Sequence, residues 1–456
     1  MKKLIEMMKG NREIDITRDD VKTSLLYLTI PIVLINLLRM AYNMADTFWL
    51  SKLSKEAIAA VTFSFPVVYL MISMGIGVSI AGSILVAKYR GRMESEMVEY
   101  TASQTLVFSL IVASVMGIIT FFNIERILVI LGASGEALPL AVSYLRVISL
   151  GVFSLFGFSV FISLMRGYGD TVTPMLVMLV SVVFNVLLDP VFIFGLGPVP
   201  AMGIKGAAVA TVLCRGIAML IGLYIMFSGV KGLRIRLKYL VPDFGFFRQM
   251  FSVGLPASIE VMAESICVNA LIAIVGQFSN SVVAGYGIGS KIYSLVFLPA
   301  MAASRGISTL TGQNIGANKS YRAEQANIMA ARFIFLLLTV SGVGVFFGAE
   351  RLIMVFNSEP EVVSAGAQFL RYIAVSFGFT GIWASFNGGF RGAGKTLMAA
   401  SITLISMAVV RVPVAFFASE YMGVKGIWIG FIVSNIVGGL LALFMFWRGR
   451  WLDMTV

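Results

Sequence analysis

The sequence contains no histidine, only two cysteines and few charged residues. Histidine is the side chain that normally titrates near neutral pH, so any proton chemistry must use carboxylates, helped by tyrosine, lysine or water. Cys214 and Cys267 both lie inside apolar stretches, which argues against a structural disulfide, and two thiols are too few for a cysteine metal site. We therefore expect no cofactor and no cysteine or histidine metal centre.

The scarcity of charge also excludes a soluble globular class. Charged residues make up 13% of the chain and apolar residues 58%, and the mean hydropathy is +0.92. Apolar stretches near the ~20 residues that a spanning helix needs recur about twelve times. We predict spans over residues 25–50, 57–86, 97–122, 138–165, 174–195, 205–228, 249–276, 282–311, 324–348, 362–389, 397–418 and 425–447.

The chain is an internal duplication with an offset of 225 residues. At this offset Pro31 falls on Pro256, and many other residues match without a gap: Glu125-Arg126 on Glu350-Arg351, Leu145-Arg146 on Leu370-Arg371, Arg166-Gly167 on Arg391-Gly392, Gly169 on Gly394, Thr171 on Thr396, Gly91 on Gly316 and Glu99 on Glu324. Each half holds six spans, an even number, so the repeat is parallel. The predicted fold is an all-α integral membrane protein with two pseudo-symmetric six-helix lobes.

The predicted organisation has five parts, and charge gives its orientation. They are a leader (1–24), an amino-terminal lobe (25–228), a linker (229–248), a carboxy-terminal lobe (249–447) and a tail (448–456). The net charge of +12 is concentrated in the leader, the tail and the loops on their side of the membrane, for example at Lys2, Lys3, Lys9, Arg12, Arg236, Arg322 and Arg450. By the positive-inside rule both termini are cytoplasmic, so this charge does not indicate nucleic acid. Because a polar segment precedes the first span, we expect no cleavable signal there.

One stretch matches a soluble-enzyme motif, the phosphate loop. GFRGAGKT, with Gly389, Gly394, Lys395 and Thr396, has the spacing that cradles phosphates in nucleotide-binding domains. No strand is predicted before it, and its repeat mate carries Asp170 in place of the lysine. We interpret it as a cytoplasmic turn between two helices.

Charged residues inside the spans are more informative, because burying a charge in hydrocarbon usually marks a pathway, a partner or a coupling site. Tyr42 and Asp46 lie four residues apart on one face of the first span, and Asn185 and Asp189 repeat this spacing in the fifth. Thr211 in the sixth span falls at a similar depth. The repeat places Leu271 at the position of Asp46, Val410 at that of Asn185 and Val414 at that of Asp189. The acidic site is therefore expected only in the first half.

Purely structural roles could also explain the same residues. Asp46 could place its carboxylate near the membrane surface at a helix end, and Tyr42, Asn185 and Thr211 could each satisfy an interhelical hydrogen bond. In the second half, Glu260 and Glu264 lie four residues apart in the seventh span. They either pair with Lys291 or Arg305 as a structural salt bridge or take part in coupling.

Several segments together resemble the multidrug and toxic compound extrusion (MATE) family, and the resemblance covers almost the whole chain. These segments are MADTFWLSKL, MRGYGDTVTP, FNVLLDPVFIFG and GIKGAAVAT. The resemblance implies alternating-access export of cationic or amphipathic compounds, driven by inward movement of H⁺ or Na⁺. It marks an ion-coupling site in the amino-terminal lobe at Tyr42, Asp46, Asn185, Asp189 and Thr211. All of these except Thr211 are also the expected substrate-binding residues, and all except Tyr42 are the expected ligands of any Na⁺. It also makes Glu264 the counterpart of the family's seventh-span acid.

Two departures from the family pattern help to predict which branch of the family this sequence resembles. Ser51 stands where members commonly have glycine, and GIWASFNGGFRG in the tenth span lacks the acid that one sodium-linked branch carries. The pattern is more similar to the DinF-type branch, in which the amino-terminal lobe carries coupling.

We therefore expect a cation-coupled (H⁺ or Na⁺) multidrug antiporter of the cytoplasmic membrane, acting as a monomer on small organic cations or amphipathic drugs among membrane lipids. The alternative within transport is a flippase of lipid-linked or lipid-like cargo, which favours a cationic groove over an acidic pocket. A membrane-embedded enzyme is disfavoured because the sequence lacks a paired metal-binding acidic motif. A channel is disfavoured because two pseudo-equivalent lobes suit a rocking motion better than a fixed pore.

Pro31 is the predicted bend point of the first span. Proline removes a backbone hydrogen bond inside a helix, and Pro31 lies about four turns before Asp46. Our hypothesis is that neutralising the Asp46 and Asp189 site bends the span there and shrinks the pocket of the amino-terminal lobe. The alternative is a static kink that only shapes the lobe.

Overall fold

The computed structural model describes residues 15–449, 451 and 452. Its α-helices are α1 (Val21–Leu50), α2 (Lys55–Gly91), α3 (Ser95–Ile130), α4 (Ala137–Leu150), α5 (Val152–Tyr168), α6 (Val172–Phe194), α7 (Ile204–Ser228), α8 (Phe244–Val275), α9 (Asn280–Gly316), α10 (Ser320–Met354), α11 (Pro360–Ala374), α12 (Phe377–Gly392), α13 (Thr396–Leu404), α14 (Val412–Met422) and α15 (Val424–Trp447). A short 3₁₀ turn (Leu237–Tyr239) and a π-helical segment (Ile405–Arg411) complete them.

These helices confirm the all-α membrane fold. Ten described helices, with Thr396–Met422 counted as one, are long and apolar enough to cross a membrane. Two bent pairs, α4 with α5 and α11 with α12, raise the number to the predicted twelve.

The start of α1 lies inside the predicted leader. Residues 1–14, with Lys2, Lys3, Lys9 and Arg12, fall outside the described residues, as do Arg450 and residues 453–456 of the predicted tail. Asp20 caps α1, because the backbone N–H of Thr23 donates to its Oδ2 at 3.0 Å. That hydrogen bond holds the pKa of the Asp20 carboxyl below its usual value.

The duplication is visible in the irregularities of the helices. The bend between α4 and α5 is 51° at Gly151, and the bend between α11 and α12 is 57° next to Ser376, its repeat mate. Gly169 and Gly394, also repeat mates, both adopt positive φ, at 110° and 79°, which glycine tolerates because it has no Cβ. GFRGAGKT is therefore a turn between two helices, as predicted.

The helices form two compact units. One is Pro31–Ser258, and the other is Ile259–Val456 with Met1–Ile30. Both boundaries fall inside helices, in α1 beside Pro31 and in α8 close to Pro256. We refer to Pro31–Ser258 as the first unit and to the other as the second unit.

The predicted linker packs on α3 within the first unit. The side-chain amide of Gln104 donates to the backbone carbonyls of Tyr239, at 2.8 Å, and Val241, at 2.7 Å. An ion pair of 2.5 Å joins Arg236 Nε to Glu99 Oε2. The linker is thus attached along its length to the start of a spanning helix.

A buried acidic cluster in the first unit

Close packing of α6 on α7 places the site residues of these two helices side by side. A Cβ at Gly206 would clash with the backbone carbonyl of Phe192, and Ala207, Ala208 and Ala210 on the following turn are buried. The hydroxyl of Ser181 donates to the backbone carbonyl of Cys214 at 3.2 Å. Small residues let two helix backbones approach, and the GIKGAAVAT segment serves this purpose here.

Asn185 and Asp189 form the α6 side of the cluster. Both residues are 0% exposed, and Asn185 Nδ2 donates to Asp189 Oδ1 at 2.9 Å. The four-residue spacing places them on one face of the helix, as the sequence predicts. The amide therefore orients the carboxylate but satisfies only one of its two oxygens.

Helix α1 supplies the opposite side. The Tyr42 side chain is buried, and its hydroxyl donates to the backbone carbonyl of Thr211 at 3.5 Å. One turn further along α1, the Asp46 carboxyl lies within interaction range of the Asp189 carboxyl and the Asn185 side chain. The structure thus places all five predicted site residues in one cluster of the first unit.

The cluster has more hydrogen-bond acceptors than donors. With both carboxyls ionised, Asp46 Oδ1, Asp189 Oδ2 and Asn185 Oδ1 are buried and receive no hydrogen bond from the described part of the chain. A proton shared between the two carboxyls would join them directly. Ionised carboxylates can only accept, and buried acceptors without a donor are costly. A proton or a hard monovalent cation would satisfy these oxygens, with the Thr211 hydroxyl as a further oxygen for the cation.

Sequence reasoning missed two residues of this cluster, Arg215 and Tyr144. The Arg215 guanidinium lies 5.1 Å from the centre of the Tyr42 ring and interacts electrostatically with Asp46. Tyr144 of α4 interacts with Asp46, Asp189 and Arg215. Arg215 lies four residues after Thr211, so a search for cations one turn from site residues would have found it.

The acids of the second unit are arranged differently. Glu260 is 4% exposed and binds Arg391 through two contacts, Nη2 to Oε1 at 2.6 Å and Nε to Oε2 at 3.2 Å. The hydroxyl of Thr403 also donates to Glu260 Oε1, at 2.7 Å. Lys291 and Arg305 were the candidate salt-bridge partners expected from the sequence, whereas the described ion pair of Glu260 is with Arg391. Arg391 is near the end of α12, and its side chain reaches the Glu260 carboxylate on α8.

Glu264 makes no ion pair within 4.0 Å among the described residues. Electrostatic interactions link it to Glu260, Arg391, Arg411 and Arg305, so Arg305 is near this acid. Arg411 is 5% exposed and donates to Ser434 Oγ and Asn435 Oδ1, both at 2.7 Å.

The fold and its relatives identify the class and then the family. A duplicated helical membrane protein with buried charged side chains has the architecture of a membrane transporter. The MatE family model matches residues 31–191 and 256–417, and the two matches begin 225 residues apart. The chain therefore belongs to the MatE family, which confirms the resemblance, and it is a transporter and not an enzyme. The DinF-type branch stays a prediction.

The similar proteins include two named as probable multidrug resistance proteins, and the matches cover nearly their whole length. The "Probable multidrug resistance protein NorM" of Thermotoga maritima is 31% identical over 436 residues, covering 95% of this chain and 93% of that protein. The "Probable multidrug resistance protein YpnP" of Bacillus subtilis is 29% identical over 449 residues, with 97% and 98% covered. A solved structure described as "MATE in the bent conformation" has a TM-score of 0.89 at 26% identity and covers 96% of each chain.

Proposed function

We propose that this protein exports organic cations or amphipathic drugs in exchange for H⁺ or Na⁺, and that Asp46 and Asp189 couple the two movements. The single observation that carries this proposal is the trio of buried oxygens without a hydrogen-bond donor, Asp46 Oδ1, Asp189 Oδ2 and Asn185 Oδ1. Relatives named as multidrug resistance proteins support the choice of cargo.

In this proposal, cargo and coupling ion exchange because both are cations that compete for the same negative charge. An organic cation and a small inorganic cation both relieve the cost of two buried carboxylates, so binding of one favours release of the other. Asn185 holds Asp189 in place while the occupant changes, because its amide bonds only Oδ1. Tyr42, bonded to the backbone of α7, fixes the distance between α1 and α7.

Pro31 is the proposed mechanical element. The boundary of the first unit falls between Ile30 and Pro31, within the continuous helix α1. Neutralising Asp46 removes its repulsion from Asp189 and allows α1 to bend at this residue. Similar solved structures are described as MATE in the bent and in the straight conformation, which supports a protein that adopts more than one shape.

The proposal includes an orientation. Both termini face the cytoplasm, the protein resides in the cell membrane and the monomer is the transporting unit. The bias of lysine and arginine towards the loops on the side of the termini supports this orientation.

The flippase remains the alternative. A flippase of lipid-linked cargo favours a cationic groove, whereas two buried acids and one arginine leave the cluster of the first unit with a net negative charge. That sign favours a cationic cargo.

The test is transport by purified protein in liposomes, with a H⁺ gradient and a Na⁺ gradient imposed separately. A fluorescent organic cation inside the vesicles should leave faster under at least one gradient, without nucleotide. The same liposomes are assayed for movement of a fluorescent phospholipid between leaflets. Lipid movement, with no response of the organic cation to either gradient, would favour the flippase and contradict the proposal.

A further inference from the structure

Arg215 carries a fixed positive charge beside the acidic cluster. It lies on α7, four residues after Thr211, so both residues share one helical face. Its guanidinium stacks over the ring of Tyr42, 5.1 Å from the ring centre. Arginine does not lose its proton in proteins, so this charge is present in every state of the cluster.

The guanidinium is near the acids but does not neutralise them through direct contact. No ion pair within 4.0 Å joins Arg215 to Asp46 or Asp189 in the described chain, and Arg215 Nε is buried without an acceptor there. Stacking on Tyr42 holds the charge at this distance by a cation–π interaction. The carboxylate oxygens consequently stay accessible to an exchangeable cation.

The charged and titratable groups that interact with the cluster come from four helices. Helix α1 contributes Tyr42 and Asp46, α4 contributes Tyr144, α6 contributes Asp189, and α7 contributes Arg215 and Cys214. The tyrosines and the cysteine are neutral in their ordinary ionisation states near pH 7. Among these groups, two carboxylates and one guanidinium leave one uncompensated negative charge.

We propose that Arg215 is a tethered counter-cation that sets the coupling stoichiometry at one monovalent cation per transport cycle. With one H⁺ or Na⁺ bound, the two carboxylates and Arg215 sum to zero, which is the least costly state in a low-dielectric bundle. Without Arg215, one bound cation leaves a residual negative charge and a second cation is needed. This inference rests on the proposed coupling at Asp46 and Asp189.

A structural role for Arg215, confined to stacking against Tyr42, predicts something different. Loss of the stacking would lower stability and the amount of folded protein, but the number of cations bound by each folded transporter would not change. The stoichiometry per folded molecule therefore separates a counter-charge from a packing residue.

Three variants make the test. Arg215→Met removes the charge and keeps an unbranched chain, Arg215→Lys keeps the charge, and Lys205→Met removes an exposed charge from the start of the same helix. Cation uptake by purified, monodisperse protein is counted with a pH-indicator dye for H⁺ and with radioactive sodium for Na⁺. The stoichiometry of transport is measured independently from the membrane potential that stops cargo flux in liposomes.

We expect about one cation per cycle for the parent, Arg215→Lys and Lys205→Met, and about two for Arg215→Met, because each missing fixed charge requires one mobile charge. A value of one for folded Arg215→Met would overturn the inference. If Arg215→Met does not fold, Tyr42→Leu replaces it. That variant frees Arg215 to pair with the acids and should weaken cation affinity at least ~10-fold at unchanged stoichiometry. Unchanged affinity would overturn the inference.

Failure of the proposed function gives a separate result. If the carboxylates do not couple transport, the parent and the Asp46→Asn/Asp189→Asn double variant bind equal numbers of cations. If the carboxylates do couple transport but Arg215 sets no stoichiometry, the double variant loses cation uptake while Arg215→Met behaves as the parent does.

Discussion

The two repeats share one helical scaffold but differ in how they treat buried charge. In the first unit, Asp46 and Asp189 each keep one buried oxygen that receives no hydrogen bond from the described residues. In the second unit, Glu260 accepts two hydrogen bonds from Arg391 and one from Thr403. A satisfied charge stabilises one arrangement of helices, whereas an unsatisfied charge can exchange its partner.

The two repeats also differ in the regularity of the helices that carry buried charged residues. Helix α6 is regular, but its repeat mate contains the π-helical segment Ile405–Arg411. This segment ends at Arg411, one residue after Val410, the repeat mate of Asn185. Ser434 and Asn435 of α15 bind the guanidinium through neutral oxygens. Duplication therefore preserved the positions of the helices while the buried charges diverged.

The largest expected effect follows from breaking the acidic cluster. Asp46→Asn and Asp189→Asn should each reduce gradient-driven efflux to the level of protein-free liposomes, because asparagine keeps the shape but cannot exchange a charge. Glu264→Gln in the second unit should retain most of the efflux if only the first repeat couples transport. Undiminished efflux by both aspartate variants, with all proteins monodisperse, would remove the functional difference between the repeats.

The second-largest expected effect is a loss of stability of the second unit when the Glu260–Arg391 ion pair is broken. Glu260→Gln leaves the charge of Arg391 without its counter-charge in a largely buried site, at a cost of about 3–5 kcal/mol. The matched control is Glu350→Gln, which breaks the exposed pair with Arg371 and should cost less than about 1 kcal/mol. Thermal unfolding in detergent measures both changes. Equal shifts in Tm would show that the Glu260 pair is no more structural than a surface pair.

A smaller effect is expected at the bend point. Spin labels at Met44 of α1 and Leu187 of α6, both well exposed, should change their separation when pH or Na⁺ changes. A 20° bend at Pro31 would move Met44 by about 7 Å, from a lever of thirteen residues at ~1.5 Å each. Pro31→Ala should reduce the movement because it restores a backbone hydrogen bond.

The acidic cluster provides the control for that movement. The label separation should stay fixed in the Asp46→Asn/Asp189→Asn double variant. An equal change in the double variant would mean that the carboxylates do not control the bend, and a static kink would then explain Pro31.

The smallest effect is expected in the repeated turns. Lys395→Ala should leave efflux unchanged and ATP hydrolysis undetectable, because GFRGAGKT is a turn between helices. In the mate turn, Asp170 Oδ1 accepts the backbone N–H groups of Val172, at 3.0 Å, and Thr173, at 2.9 Å, so Asp170→Ala should cost about 1 kcal/mol. ATP-dependent efflux that is lost in Lys395→Ala would contradict this interpretation.

Much of the site could be predicted because the physical signal is local. A carboxylate inside an apolar span is costly wherever the span lies, and a partner four residues away lies on the same helical face. Asp46 with Tyr42 and Asp189 with Asn185 were found in this way. Arg391, the partner of Glu260, was not found, because it is 131 residues away and only the tertiary structure brings the two side chains together.

The sequence by itself determined the duplication, the number of spans and the residues that can carry charge, because hydropathy and the cost of burying a charge act on each segment independently. Tertiary structure decided which charges are neutralised. Arg391 closes on Glu260, while Arg215 stacks on Tyr42 and leaves the acids of the first unit open. The strength of an ion pair changes over a few ångströms, and such distances depend on how helices distant in sequence rotate and pack against each other.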